Sequence, residues 1–412
     1  MKKIKRLLSE NIVVIFFALL CIGAYIIADQ KPYMVASDLI NRVMRNSIMV
    51  LALIIPIMTG MGLNFGIVVG AMTAQGALIF ITHWHLDGMT GFLVALMVCT
   101  AFSVLCGWLL GRLFNSTRGQ EMISGMIAGY FGQGIYLLIF LVLIGTVIPF
   151  WDPDLSISTG IGIKDTLNLS AGMKGALDNV WKLKLDKVLY IALGLYAVYV
   201  ICSALLNRKR NGIRKQFLQL AAMAAVVLLL VTLPVVSDVV KRCKIPMATL
   251  FFILLVSALC QFITKTKLGQ DFRSVGTDIK IAEAAGINVD RVRIIATIFS
   301  TVLAAWGQLV FLQNMGTFST YTAQQNVGTF SIAALLVGGA TIDKANVKQA
   351  FIGVVLFQLL FLLAPAAGTK IFNDSQAGEY FRTVISNGVI AVSLVLHAVN
   401  KIRLMNAEKA RG

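Results

Sequence analysis

Twelve apolar runs divide this chain, near residues 11–28, 46–60, 63–82, 91–111, 122–150, 188–206, 216–236, 246–263, 294–312, 329–342, 349–366 and 383–399. A bilayer crossing takes roughly 20 mostly apolar residues. Most of the runs meet that length; 46–60 and 329–342 are short enough to be half-crossings. The pattern predicts an all-α, polytopic membrane protein with about 10–12 transmembrane helices. Lys2, Lys3, Lys5 and Arg6 precede the first run, but no small-residue cleavage site and soluble domain follow it. It reads as a retained anchor rather than a removed signal.

Composition agrees. Of 412 residues, 58% are hydrophobic and 13% charged, against about 45–50% and about 25% in soluble domains. A water-soluble enzyme, a disordered chain and a fibre are all excluded. The net charge of +17 would suggest a nucleic-acid partner in a soluble protein. Its distribution says otherwise. With both termini inside and the runs alternating, 1–10, 112–121, 207–215, 264–293, 343–348 and the tail from 400 face the cytoplasm. These segments hold 23 of the 36 Lys and Arg, and the inner loops carry +15 against +2 outside. Lys and Arg in short loops set orientation, so the chain reads as N-in and C-in. The charge then orients it in lipid, and no nucleic-acid partner is expected. The partition also leaves no charged residue deep within a span, which counts against an ion-coupled carrier.

Little catalytic chemistry is present. Cys21, Cys99, Cys106, Cys202 and Cys260 lie in or beside apolar runs, Cys243 lies outside, and no CxxC occurs. Packing accounts for them. His83 and His85 flank Trp84 at an external edge without a third ligand, so interfacial anchoring is the simpler reading. There is no phosphate-binding G-x-x-x-x-G-K-[ST] loop, no G-x-S-x-G and no H-E-x-x-H. No metal, cofactor or catalytic residue is expected.

Two kinds of intramembrane feature are candidates for a solute path. Gly62, Gly66 and Gly70 recur at a spacing of four, as do Gly125 and Gly129. Close helix packing explains such a stripe; a break at Gly60–Gly66 beside a cavity is the functional alternative. Asn64, Gln75, Gln133, Gln308 and Asn387 are neutral hydrogen-bonding residues within apolar runs. Each suits either an interhelical bond or a translocation path.

The polar stretch 264–293 is the most informative. Thr277 is placed to cap a short helix over 278–285 that Gly286 would stop. Ile279, Ala282 and Ala285 would share a small apolar face suited to a partner's groove; an amphipathic connector on the membrane surface is the plain alternative. The motif Leu268-Gly269, then Arg273-Ser274-Val275-Gly276, then Ala282-Glu283-Ala284-Ala285-Gly286-Ile287 resembles the cytoplasmic loop of ABC importer permeases. The group concerned handles branched-chain amino acids, simple sugars and nucleosides. A second likeness is Ile332-Ala333-Ala334-Leu335-Leu336-Val337-Gly338-Gly339-Ala340-Thr341. The resemblance spans roughly 45–400 and is strongest over 264–342.

The resemblance implies a type II-like ABC importer permease, a single transmembrane domain over 1–412. The site residues it implies are Arg273, Gly276, Asp278, Ala282, Glu283, Ala284, Ala285, Gly286 and Ile287, as an ATPase-coupling helix. The partners it implies are ABC ATPase subunits, an extracytoplasmic substrate-binding protein and a second permease copy or a sister permease, in a bacterial inner membrane. The external segment 151–187 is long and is a candidate receiver of the binding protein. Asp343-Lys344-Ala345-Asn346 replaces the family's second Gly-rich turn, and Leu63-Asn64-Phe65-Gly66 fits no subgroup. The substrate therefore stays open among sugars, nucleosides and branched-chain amino acids, with a stand-alone secondary carrier as the remaining alternative.

Overall fold

The computed structural model describes residues 12–206 apart from 159 and 171, residue 232, and 234–409. The expected basic segments at 1–10 and 207–215, and most of the expected span at 216–236, lie outside the described residues. In chain order the helices begin with α1 (Ile12–Ala28), α2 (Pro32–Leu51), α3 (Ile54–Met58), α4 (Ile67–His83), α5 (Gly88–Ser116) and α6 (Glu121–Leu137). Next are α7 (Leu185–Leu206), α8 (Pro234–Arg242) and α9 (Met247–Lys265). Then come α10 (Lys267–Thr277), α11 (Ile279–Ala284), α12 (Val289–Met315), α13 (Val327–Val337), α14 (Val347–Phe372) and α15 (Ser375–Lys409). Among the described residues, seven stretches are long and apolar enough to cross a membrane, and three shorter apolar helices accompany them.

Local chemistry sets the helix ends. Pro32 opens α2 at a position where its missing N–H costs nothing. Asn346 and Gln349 form a reciprocal capping box at the start of α14. Gly316, at φ 74°, ends α12 in the left-handed region.

One expected half-crossing is corrected. The run 46–60 is the inner end of a 27-residue span, Pro32–Met58, formed by α2 and α3 with a short irregularity at 52–53. Arg42 lies in its outer half and Arg45 at its middle, so the expectation that no charged residue lies deep within a span fails there. The other short run, 329–342, does become an 11-residue helix, α13.

The bundle is organised around α12, which packs on α5, α4, α2 and α3. The apolar windows of Pro32–Met58 and Val289–Met315 are 61% buried, against 17% for Glu121–Leu143 and Ser375–Leu396. The first pair is therefore central and the second faces outward. Glycine allows the closest approach. A Cβ on Gly107 or Gly111 of α5 would lie 2.8 Å from the Cα of Ile298 or Ile294 of α12. Gly70 of α4 sits as tightly on Thr301. Backbones this close gain dispersion contact, which drives helix association where lipid is as apolar as the side chains.

At the cytoplasmic end, Arg293 of α12 is 1% exposed. It donates to Glu121 Oε1 at 2.5 Å, the Phe114 carbonyl at 3.0 Å and Asn115 Oδ1 at 2.9 Å. One guanidinium thus binds the end of α5 to the start of α6.

The external insertion is folded, not loose. Strand β1 (Thr166–Asn168) pairs antiparallel with β4 (Thr317–Ser319), and β2 (Lys182–Lys184) with β3 (Lys244–Pro246). Leu155, Ile163, Leu167, Leu169, Met173 and Leu177 join the main core. Buried Asp178 accepts from Thr249 Oγ1 and, at 2.6 Å, from Asn314 Nδ2. His83 meets buried Asp152 at 2.9 Å, which gives that histidine a structural partner.

Two substitutions test these contacts. Gly111→Leu should force α5 from α12 and cost about 1–3 kcal/mol, read as a lower melting temperature in detergent. Glu121→Ala strands a buried guanidinium and should cost about 3–5 kcal/mol. Its melting temperature should fall, and full retention would contradict the buried-pair account.

Candidate functional site

The cytoplasmic segment forms two helices rather than the single one expected. Gly269 allows the sharp turn from α9 into α10, since a Cβ there would collide with the Ile263 carbonyl. Arg273 fastens α10 back to α9 through the Thr264 carbonyl at 2.7 Å. Phe272 and Val275 are buried in a cluster with Ile55, Met61, Phe114, Ala282, Val289 and Val292. Gly276 lies against the end of α3: a Cβ would strike the Met58 carbonyl and approach Gly60 N to 3.0 Å. Gly60 reciprocates, with its own Cβ position 3.0 Å from Gly276 Cα.

The cap of α11 is Asp278, not Thr277 as expected. Asp278 Oδ1 accepts from the Lys280 and Ile281 N–H groups at 2.8 and 3.2 Å. Thr277 instead closes α10, its hydroxyl donating to the Arg273 carbonyl at 2.8 Å. The shift of one residue follows from chemistry: a carboxylate accepts two N–H bonds, and Thr277 is already helical. Gly286, at φ 81°, ends the segment as expected.

The expected apolar face also changes. Ala282 is buried, and Ile279 and Ile287 pack on the chain's own cluster. Ala285 is exposed with Ala284, and Ile281 is 68% exposed. The surface left open is therefore Ile281, Ala284 and Ala285, bordered by Lys280 and Glu283. Glu283 pairs with Arg118 at 3.3 Å, and Arg118 with Asp290 at 2.6 Å. These exposed pairs position the loop and are worth little energy.

The five intramembrane candidates do not gather. Asn64 donates to Ser300 Oγ at 3.1 Å and accepts from Gly66 N–H at 2.9 Å. It holds the non-helical break at 59–66 against α12. Gln75 is fully buried, with neither amide atom paired among the described residues. Gln133 is half-buried on α6, and Asn387 is exposed on the outward-facing α15.

Of the five, Gln308 alone lines a cavity, of about 260 Å³. Its other polar lining comes from Asn46, Thr322, Asn326, Ser331 and Gln358, among aliphatic side chains and the aromatic walls Phe311 and Phe330. Asn326 and Val327 at the start of the half-helix α13 form one side, so the positive end of its dipole lies beside a site without charged side chains. Gln358 carried the same signal as Gln308, a lone amide in an apolar run. Asn326 and Thr322 sit in a loop and carried no such signal.

The Gly338-Gly339 motif explains how α13 is held. A Cβ at Gly338 or Gly353 would enter the backbone of the other helix, α14 or α13. Gln349 Nε2 donates to the Gly339 carbonyl at 2.8 Å.

Above the chamber, on the side assigned to the exterior, lies a second cavity of about 610 Å³. Its walls include Asp38, Asn41, Arg42 and Arg45 of α2, and Lys174, Asp178 and Lys182 of the insertion. An apolar groove of about 480 Å³ between α4, α5 and α6 has the character of a lipid-facing surface. Among the described residues no cluster of three or more metal-ligating side chains occurs.

The nucleoside ABC transporter permease protein NupB of Lactococcus lactis is 26% identical over 156 residues, covering 36% of this chain and 40% of that protein. The xylose transport system permease protein XylH of Haemophilus influenzae is 26% identical over 140 residues, 34% of this chain and 36% of that one. The matched stretches thus span about two-fifths of these relatives' length. No solved structure matches the chain. Residues 35–396, nearly the whole described bundle, match the family described as branched-chain amino acid transport system / permease component. The chain belongs to that permease family.

Proposed function

We propose that this chain is the membrane-spanning permease subunit of an ATP-driven importer for a neutral sugar- or nucleoside-like solute. The observation that carries the reading is the cytoplasmic pair α10–α11. It is locked to the break at Gly60 through Gly276, and it presents Ile281, Ala284 and Ala285 unpaired at the surface. A rigid lever ending in a small apolar face suits a groove on a separate ATPase. ATP hydrolysis would lie on that partner, and this chain would supply the path. Closure of the ATPases would push α10–α11, shift the end of α3, and reorient the spans between two access states.

The chamber supports the solute class. Its polar lining is neutral amides and hydroxyls, set among aliphatic side chains and two phenylalanine rings. Such walls satisfy hydroxyl groups and stack on a ring. An amino acid would bring two charges into a chamber whose lining holds no charged residue, at a high desolvation cost. The relatives named for a nucleoside and for xylose agree with the neutral reading. The folded roof at 151–187 is the proposed receiver of an extracytoplasmic binding protein, and 1–412 is read as one permease domain. A second permease copy or a sister chain would complete the path in the inner membrane.

Ile281→Asp tests the reading. It should reduce affinity for the co-expressed ATPase by at least about tenfold, a loss of about 1.4 kcal/mol or more, read by co-purification. The melting temperature of the isolated permease should not move, since Ile281 faces solvent. Undiminished co-purification would remove the coupling assignment.

A further inference from the structure

Arg45 stands between the two cavities on the external side. Its side chain lines the outer one, while its neighbour Asn46 lines the inner chamber. The guanidinium lies 5.2 Å above the ring of Phe311, and Phe311 is a wall of the inner chamber. Nη1 donates to the Met315 thioether sulfur at 2.8 Å, and Nε is buried with no partner. Among the described residues no carboxylate lies within ion-pair distance of Arg45, whereas Arg293 has Glu121 at 2.5 Å.

A guanidinium has five donors in a fixed fork. Here an aromatic face and a weak sulfur acceptor hold a half-buried group that opens on the outer cavity, and its Nε is the donor left buried without a partner, a condition that calls for an explanation. A ligand that brings oxygen acceptors supplies one. Arg45 covers one side of the Phe311 ring, and that same ring is a wall of the chamber against which a sugar or ribose ring would stack. Cation and sugar would share one aromatic, and a guanidinium released from it can donate to the ring's hydroxyls.

We propose that Arg45 is the outer gate of the chamber and the first residue to recognise its solute, a polyhydroxylated ring. This rests on the reading of the chamber as a solute path. In the closed arrangement the side chain occupies the aromatic seat. On arrival of the ring it leaves Phe311, moves further into the outer cavity that it already lines, and turns its donors onto hydroxyl oxygens. Arg42 makes an informative contrast. It lines the same outer cavity but stacks at 5.6 Å on Phe361, which is no wall of the chamber.

The test needs no knowledge of the natural solute. Ser331→Cys places a thiol in the chamber, where Ser331 is 6% exposed. Two membrane-impermeant methanethiosulfonates, one cationic and one anionic, are added to the external face of membranes holding the full chain. Labelling is compared with the same background lacking Ser331→Cys, and unlabelled Cys260, fully buried, reports an intact bundle. Arg45→Ala should speed labelling at least about tenfold with both reagents, Arg45→Lys by less, and Arg42→Ala not at all. Faster reaction with the cationic reagent alone would be an electrostatic effect and would overturn the gate. So would unchanged rates, or an equal effect of Arg42→Ala. Should Arg45→Ala label Cys260, Phe311→Ala, which removes the seat itself, is read in its place with the same outcomes. Failure here would leave the ATPase-coupling reading standing, because co-purification with the ATPase does not involve Arg45.

Discussion

The architecture depends on a contact without side chains: the backbone of Gly276 in α10 against Met58 and Gly60 at the end of α3. Two chain segments more than 200 residues apart touch there as closely as backbones can. Any larger residue on either side would wedge them open. Phe272, Val275 and Ala282 from the cytoplasmic helices then pack with Ile55, Met61 and Phe114 from the membrane helices. Displacing α10–α11 without displacing the end of α3 would break that cluster.

The same span carries the consequence outward. Met58 ends the stretch that begins at Pro32, and Asn46 lies 12 residues earlier, about 18 Å along a helix. Asn46, Met49 and Val50 line the cavity proposed as the solute chamber, and Arg45 lies just beyond. One element therefore touches the proposed coupling helices at its inner end and that cavity in its middle. Across from it, α12 contributes Gln308 and Phe311 to the chamber and Arg293 to the cytoplasmic knot. The two most buried spans are the two that join the sites.

Much of this was legible in the chain because glycine has few other uses at such places. Gly269, Gly276 and Gly286 stood in a recognisable motif, and each proves to need its missing side chain or its left-handed backbone. The break at 59–66 and the short α13 were likewise visible as interruptions of apolar runs. The chamber was not. Its polar walls come from positions 46, 308, 322, 326, 331 and 358, and nothing local reports that they meet. Asn387 shows the complementary failure. In lipid both faces of a helix are apolar, so periodicity could not tell the outward side of α15 from the inward one. Arg42 and Arg45 escaped notice because α2 begins well before the apolar run it feeds. Gly107 and Gly111, four residues apart on α5, carried a readable small-residue signal and proved to bring the α5 backbone directly against α12.

On the proposed mechanism, force passes through the glycine contact. Gly276→Ala is the decisive variant, measured in the permease reconstituted with the proposed ATPase and solute-loaded binding protein. The measured quantity is solute transported per ATP hydrolysed. The complex should still assemble, because the exposed face of α11 is untouched, yet the ratio should fall at least about tenfold as the added methyl holds α10 off α3. An assembled complex with an unchanged ratio would contradict the account.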